Sequence, residues 1–247
     1  MKAAPVADPV VWHDVECAAY VADLPLWREL AAEADGPVLD LGAGTGRVAL
    51  DLAAAGHDVT ALDSEPAFLR ALAARARERG LRVRTEVADA RSFALGREFA
   101  LVVSPMQVVQ LLGGPSGRLR MLGCVREHLR AGGRFAAALA DPFEGIPAED
   151  AVPPVPDVRE HDGWVFSSTP IAVRAEPGAT VIDRHRQSVS PEGRLEEVVA
   201  SIRLDDAQAE ELEHLGASVR MRTLPRREVP ATGDYVGSTV VMLEKLP

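Results

Sequence analysis

Three glycines fall within five residues in the stretch Val38-Leu39-Asp40-Leu41-Gly42-Ala43-Gly44-Thr45-Gly46-Arg47. An apolar run precedes them and a segment of helical spacing follows. A strand that turns through glycines into a helix lets a nucleotide-like ligand approach bare backbone closely. Asp63 stands 19 positions after Gly44, at the end of the next apolar run. A carboxylate at that place can accept hydrogen bonds from two adjacent ribose hydroxyls. The loop departs from the dinucleotide pattern G-x-G-x-x-G. Its third glycine comes one residue early, at Gly46, and position 47 is arginine. Asp40 lies just before the turn, where its charge would oppose a pyrophosphate at the helix N-terminus. An acid there suits a ligand with a positive centre.

These groups need a sheet to hold them. Val38–Leu41, Val59–Leu62, Leu81–Val87, Phe99–Val103 and Arg134–Ala140 read as five strands, several of them continuously apolar. Helical spacing runs from Val48 to Ala55, from Pro66 to Arg79 with Ser64 as its cap, and from Ser116 to Leu129 with Gly132-Gly133 closing it. Residues 8–34 read as helix, with Trp12, Val15 and Ala19, then Leu24, Trp27 and Leu30, on apolar stripes and Pro25 opening a second segment. Strands alternating with helices predict a parallel sheet covered on both faces. The pattern changes after Asp141. Five prolines lie between 142 and 157, and alternating segments follow at 163–175, 179–190 and 194–204. Glu176-Pro177-Gly178 and Ser190-Pro191-Glu192-Gly193 separate them, which predicts an antiparallel meander. Alternation puts Arg184 and Arg186 on one face and His185 on the other. A helix at 205–215 and strands at 217–224 and 235–244 complete the chain.

S-adenosylmethionine carries an ammonium, a sulfonium and a ribose, and no phosphate. The sequence resembles the class I S-adenosylmethionine-dependent methyltransferases of the small-molecule type. Val38–Gly46 is similar to the family's first motif, Asp63 matches its ribose ligand, and Ala88-Asp89-Ala90 is similar to its adenine-facing acid after strand three. Ser104-Pro105-Met106-Gln107 resembles the segment between cofactor and substrate, and Leu129–Phe135 the turn into strand five. The resemblance implies an α/β fold: a Rossmann-like, doubly wound, mostly parallel seven-stranded sheet with an antiparallel β insert after strand five. It assigns Asp40, Gly42, Ala43, Gly44, Thr45, Gly46, Asp63, Ser64, Asp89, Ala90 and Ser104 to cofactor binding. It divides the chain into N-terminal helices plus core (1–141), a substrate-covering loop and insert (142–204), and a last helix with two strands (205–247). The Asn/Asp-Pro-Pro-Tyr/Phe sequence of members that methylate bases or glutamine is missing after strand four. The acceptor expected is therefore a small molecule, taking the methyl group on O, N or C by in-line transfer.

A formal net charge of −10 argues against nucleic acid as a partner. No window reaches the ~18 apolar residues of a membrane span, and Met1–Pro5 opens no signal peptide. A soluble, cytoplasmic protein is expected. Cys17 and Cys124 cannot build a zinc site, and no metal is expected. A general base is required only if the acceptor carries a proton of high pKa. His13, Asp14, Asp141 and His161 are the candidates. His57, His128 and His214 fit solvent-facing helix ends or turns, and Arg47 a solvated or salt-bridged first turn. The meander edge could support a homodimer. The competing readings are a non-catalytic cofactor-binding or partner subunit, since fold does not establish activity, and an NAD-dependent oxidoreductase.

Overall fold

The computed structural model describes residues 8–140, 155–232 and 235–247. The order is α1 (Pro9–Cys17), α2 (Leu24–Ala34), β1 (Val38–Leu41), α3 (Arg47–Ala54), β2 (Val59–Asp63), α4 (Pro66–Glu78), β3 (Val83–Val87), β4 (Phe99–Ser104), α5 (Gly114–His128), β5 (Leu129–Leu139), β6 (Asp157–His161), β7 (Trp164–Glu176), β8 (Ala179–Val189), β9 (Leu195–Asp205), α6 (Ala209–Ser218), β10 (Met221–Val229) and β11 (Ser238–Lys245). Seven strands form one sheet in the order β10-β11-β5-β4-β1-β2-β3. The five from β5 to β3 are parallel, while β11 runs antiparallel to both its neighbours.

Period-two alternation sorts the strand side chains onto two faces. Val38, Ala61, Leu101, Val103 and Ala136 pack under α2, α3 and α4, with Trp27, Leu30, Leu52 and Leu72. Leu39, Leu41, Val102 and Phe135 pack under α5 and α6, with Met121, Val125 and Leu212. Every residue of β1 and β4 is buried. Their largely apolar sequences, broken only by Asp40 and by Ser104 at the end of β4, follow from being covered on both sides. Trp27 is fully buried, its indole N–H donating to Asp23 Oδ2 at 2.8 Å.

Chain direction around the sheet reverses at β1, which lies between β2 and β4. The carboxyl ends of β1, β2 and β4 therefore open onto the crevice where such sheets receive ligands.

The other four strands form a separate antiparallel sheet, β6-β7-β8-β9. Its inner face meets α1, where the Trp12 ring stands edge-on to Phe166 at 5.4 Å. Arg184 and Arg186 both face Glu16 of α1, while His185 on the opposite face pairs with Glu197.

The structure departs from the sequence expectations in four places. Gly132 and Gly133 do not close α5: the helix ends at His128, and β5 begins at once and contains both glycines. The cap of α4 is Glu65, whose side chain accepts from the Ala67 N–H at 2.9 Å, and not Ser64. Strand β6 was not anticipated, although Asp162-Gly163, with φ of 50° and 79°, is a strong tight-hairpin signal. His128 is buried: its Nε2 accepts from the Leu95 N–H at 2.9 Å and its Nδ1 lies 2.7 Å from the Cys124 carbonyl. Among the described residues no helix is long and apolar enough to cross a membrane.

Candidate functional site

A cleft of about 600 Å³ opens at the carboxyl ends of β1 and β2. Gly42 and Ala43 line it from the glycine loop, Asp63, Ser64 and Glu65 from the end of β2, and Ala88 to Arg91 from the segment after β3. Pro105 to Val108 close it from the β4 side, α1 contributes Trp12, His13, Glu16 and Cys17, and the insert contributes Arg186, Ile202 and Leu204.

Asp63 ties the glycine loop to the end of β2. Gly44 N–H donates to Asp63 Oδ2 at 2.8 Å, and Glu65 N–H donates to Asp63 Oδ1 at 2.9 Å. A carboxylate has about four acceptor sites, so Asp63 keeps capacity for further donors. Gly44 has φ of 54°, and a Cβ there would collide with the His13 imidazole. Gly42 has φ of 75°, and its Cβ would meet Val108 at 2.6 Å. These glycines answer to backbone conformation and to neighbouring side chains, as well as to any ligand.

Asp40 is the most unusual group in the cleft. Neither carboxylate oxygen has a hydrogen bond, and both are buried. Burial pushes its pKa up to about 7, with the Arg47 guanidinium and the Ala49 N–H opposing that rise only in part. Arg47 is committed elsewhere: it pairs with buried Asp23 and donates to the Tyr20 carbonyl. Asp89 lies at the cleft edge, where hydrogen bonds from the Arg91 side chain and backbone hold its carboxyl down at about 2. Met106 has φ of 54°, a sparsely occupied conformation for a side-chain-bearing residue, and it lines the cleft.

The structure thus brings Asp40, Gly42, Ala43, Asp63, Ser64, Asp89 and Ala90 to one cavity. Gly44, Thr45 and Gly46 form the loop behind it. Ser104 is fully buried at the end of β4, its hydroxyl without a partner, and does not line the cleft. Among the candidate bases, His13 lines the cleft and Asp14 is buried behind it. Asp14 accepts from Thr45 Oγ1 at 2.7 Å and from both terminal nitrogens of Arg75. His161 sits at the exposed β6–β7 hairpin, away from the cleft, and Asp141 lies outside the described residues. Phe68, Ile202 and Leu204 also line the cavity and were not anticipated. The apolar spacing in their segments marks burial but not which cavity is lined. No cluster of metal-ligating side chains occurs among the described residues.

Residues 38–133 match the family model described as a methyltransferase domain. Over that stretch the chain is similar to a methyltransferase domain. No curated protein sequence matches the chain. Solved structures match nearly end to end. A sugar N-methyltransferase from a Streptoalloteichus species is 17% identical, with a TM-score of 0.74 over 96% of this chain and 92% of that one. An S-adenosylmethionine-dependent methyltransferase from Clostridium acetobutylicum is 14% identical, with a TM-score of 0.72 over 96% and 97%. An S-adenosylmethionine-bound amino pentose methyltransferase from Micromonospora echinaspora is 20% identical, with a TM-score of 0.71 over 94% and 96%. They share the Rossmann-like methyltransferase fold, and the bound cofactor in the last agrees with the one expected from the loop. The donor set also fits that cofactor: Asp40 offers an unpartnered carboxylate to a cation, and Asp63 has acceptor sites left for hydroxyls.

Proposed function

We propose that the protein transfers a methyl group from S-adenosylmethionine to a small-molecule acceptor bearing an amine or hydroxyl. The observation that carries this reading is the orphaned, buried Asp40 carboxylate beside a glycine loop pinned by Asp63. A pyrophosphate would meet two acids here, which disfavours a dinucleotide. In this reading Asp40 faces the cofactor ammonium, Asp63 the ribose and Asp89 the adenine edge. Gly42 to Gly46, with Ser64 and Ala90, shape the backbone around it.

When bound, the cofactor supplies a methyl group on a positively charged sulfur. The chain has to align the acceptor and exclude water, and alignment of this kind can contribute ~7–11 kcal/mol. Trp12, Met106, Leu111, Leu112, Ile202 and Leu204 supply an apolar wall for the acceptor. The cations that line the cleft are paired: Arg47 with Asp23, Arg91 with Asp89 and Arg186 with Glu16. Among the described residues, no unpaired cation in the cleft waits for an anionic acceptor. This favours an uncharged or weakly basic acceptor, and the net charge of −10 favours a small molecule over nucleic acid. The sugar and amino pentose acceptors of the solved neighbours belong to the same broad class.

Calorimetric titration of S-adenosylmethionine into wild type and Asp63→Ala, with NAD as control, tests the assignment. Micromolar binding weakened about tenfold in the variant, or about 1.4 kcal/mol, is expected for loss of a charge-assisted ribose contact. Binding of NAD in preference, or no binding by the folded wild type, would overturn it.

A further inference from the structure

His13 reaches the cleft at the end of a hydrogen-bond chain that starts on a different helix. Arg75 of α4 pairs with buried Asp14 through both terminal nitrogens. Asp14 accepts the Thr45 hydroxyl proton at 2.7 Å. Thr45 Oγ1 lies 3.3 Å from His13 Nδ1. A threonine hydroxyl has one proton. Since that proton points to Asp14, the oxygen can only accept at His13. Nδ1 must therefore carry the imidazole hydrogen, and Nε2 must carry the lone pair. Nε2 has no hydrogen-bond partner among the described residues. The Nε2–Cε1 edge lies over Gly44, in the space that a Cβ there would fill. Phe68 packs on the ring with centroids 4.5 Å apart, and both side chains line the cleft.

We propose that His13 Nε2 is the proton acceptor of the methyl-transfer site, and that Thr45 and Asp14 are positioning residues that fix its tautomer. The inference rests on the methyltransferase reading above. It also rests on the contrast among the candidate bases. Asp14 is occupied by Arg75 and Thr45, whereas His13 lines the cavity with its Nε2 beside Gly44 and unused by any donor among the described residues.

The surroundings of the ring favour its neutral form. Burial lowers its pKa, and Arg75 adds to that, while Asp14, Asp63 and Glu16 oppose it. Arg159, 3.6 Å from Asp14, is the further cation facing this cluster. During transfer the acceptor's N–H or O–H bond breaks and its proton goes to Nε2. The acceptor's electron pair forms the new bond to the methyl carbon, and the carbon–sulfur pair stays on sulfur. The positive charge on the ring is then shared through Nδ1–H and Thr45 with the Asp14 carboxylate, until the proton leaves to water.

Nitrogen-15 NMR of the histidine side chains tests this on the full chain without any acceptor. Asparagine at position 13 (His13→Asn) assigns the signal. At pH 7.5 the wild-type His13 is expected to show a protonated Nδ1 and an unprotonated Nε2. Thr45→Ser keeps the hydroxyl and should keep that pattern, whereas Thr45→Val should shift the proton to Nε2 in most molecules. A protonated Nε2 in wild type, a doubly protonated ring at pH 7.5, or an unchanged pattern in Thr45→Val would overturn the proposal. Titration of S-adenosylmethionine into the same samples keeps the two readings apart. Loss of cofactor binding in wild type would remove the methyltransferase reading and leave the tautomer measured.

Discussion

Replacing Asp40 by asparagine should strengthen the fold and weaken the cofactor, and both effects follow from one buried carboxylate. Burial raises its pKa from 3.8 to about 7. About three pH units at ~1.36 kcal/mol each correspond to about 4 kcal/mol. The folded protein holds this proton more tightly than the unfolded chain. Below about pH 4 the group is protonated in both states and contributes no difference. As pH rises toward 7 the unfolded chain ionises first, so stability falls, and above pH 7 the full loss remains. Asparagine mimics the neutral acid in shape and cannot ionise. Urea unfolding of the ligand-free protein should therefore show Asp40→Asn more stable than wild type by up to about 4 kcal/mol at pH 8. The gap should close toward pH 4.

A cofactor ammonium reverses the preference, because it favours the ionised carboxylate. With an apparent pKa near 7, about one wild-type molecule in eleven is ionised at pH 6 and about ten in eleven at pH 8. Affinity for S-adenosylmethionine should thus fall about tenfold, or about 1.4 kcal/mol, from pH 8 to pH 6. Calorimetry at pH 7 in two buffers of different ionisation enthalpy should read the release of about half a proton per cofactor bound. A dissociation constant flat across this range, with no proton released, would refute the pairing of Asp40 with the cation. An Asp40→Asn protein no more stable than wild type at pH 8 would refute the desolvation argument itself.

Two further outcomes follow from neighbouring contacts. Glu16 accepts from Arg186 Nε at 2.7 Å and Nη2 at 2.8 Å and from Ser168 Oγ at 2.7 Å. Glu16→Gln should therefore loosen the insert on α1 at a cost of about 1.5–3 kcal/mol in urea unfolding, and speed proteolysis within β6–β9; unchanged stability and cleavage would show that the apolar contact of Trp12 with Phe166 suffices. Burial of part of the residue pushes the Cys17 thiol up to about 12, so at pH 8 it should react with a disulfide reagent more slowly in the folded protein than after unfolding; equal rates in the two states would contradict the raised pKa.

The parallel core was legible because its signals are local. Val38–Leu41 apart from Asp40, and Phe99–Val103, are apolar since both faces are covered, and that pattern is written in the strands themselves. The glycine loop was legible because positive φ at Gly42, Gly44 and Gly46 requires a residue without a side chain. Local misreadings arose where two local signals competed. Gly132-Gly133 read as a helix stop, yet the β4 and β11 neighbours draw the chain into the sheet from Leu129 onward. Asp162-Gly163 carried a hairpin signal that the proline-rich stretch before it obscured.

The candidate site divides along the same line. Residue type and spacing marked Asp40 and Asp63, because an acid before a glycine turn and an acid at the next strand end are defined by chain order alone. Only the folded chain showed that Asp40 is left without a hydrogen bond while Asp89 is tied to Arg91. Partner, burial and lone-pair direction depend on residues brought together from distant segments. His13, Asp14, Thr45 and Arg75 come from α1, the loop and α4, and Glu16 meets Arg186 across 170 positions. No local pattern encodes such meetings. Sequence by itself determined most of the core elements and the glycine turn that opens the site. Tertiary structure decided which side chains are paired and which are left facing the cleft, because desolvation and hydrogen-bond saturation are properties of neighbours in space.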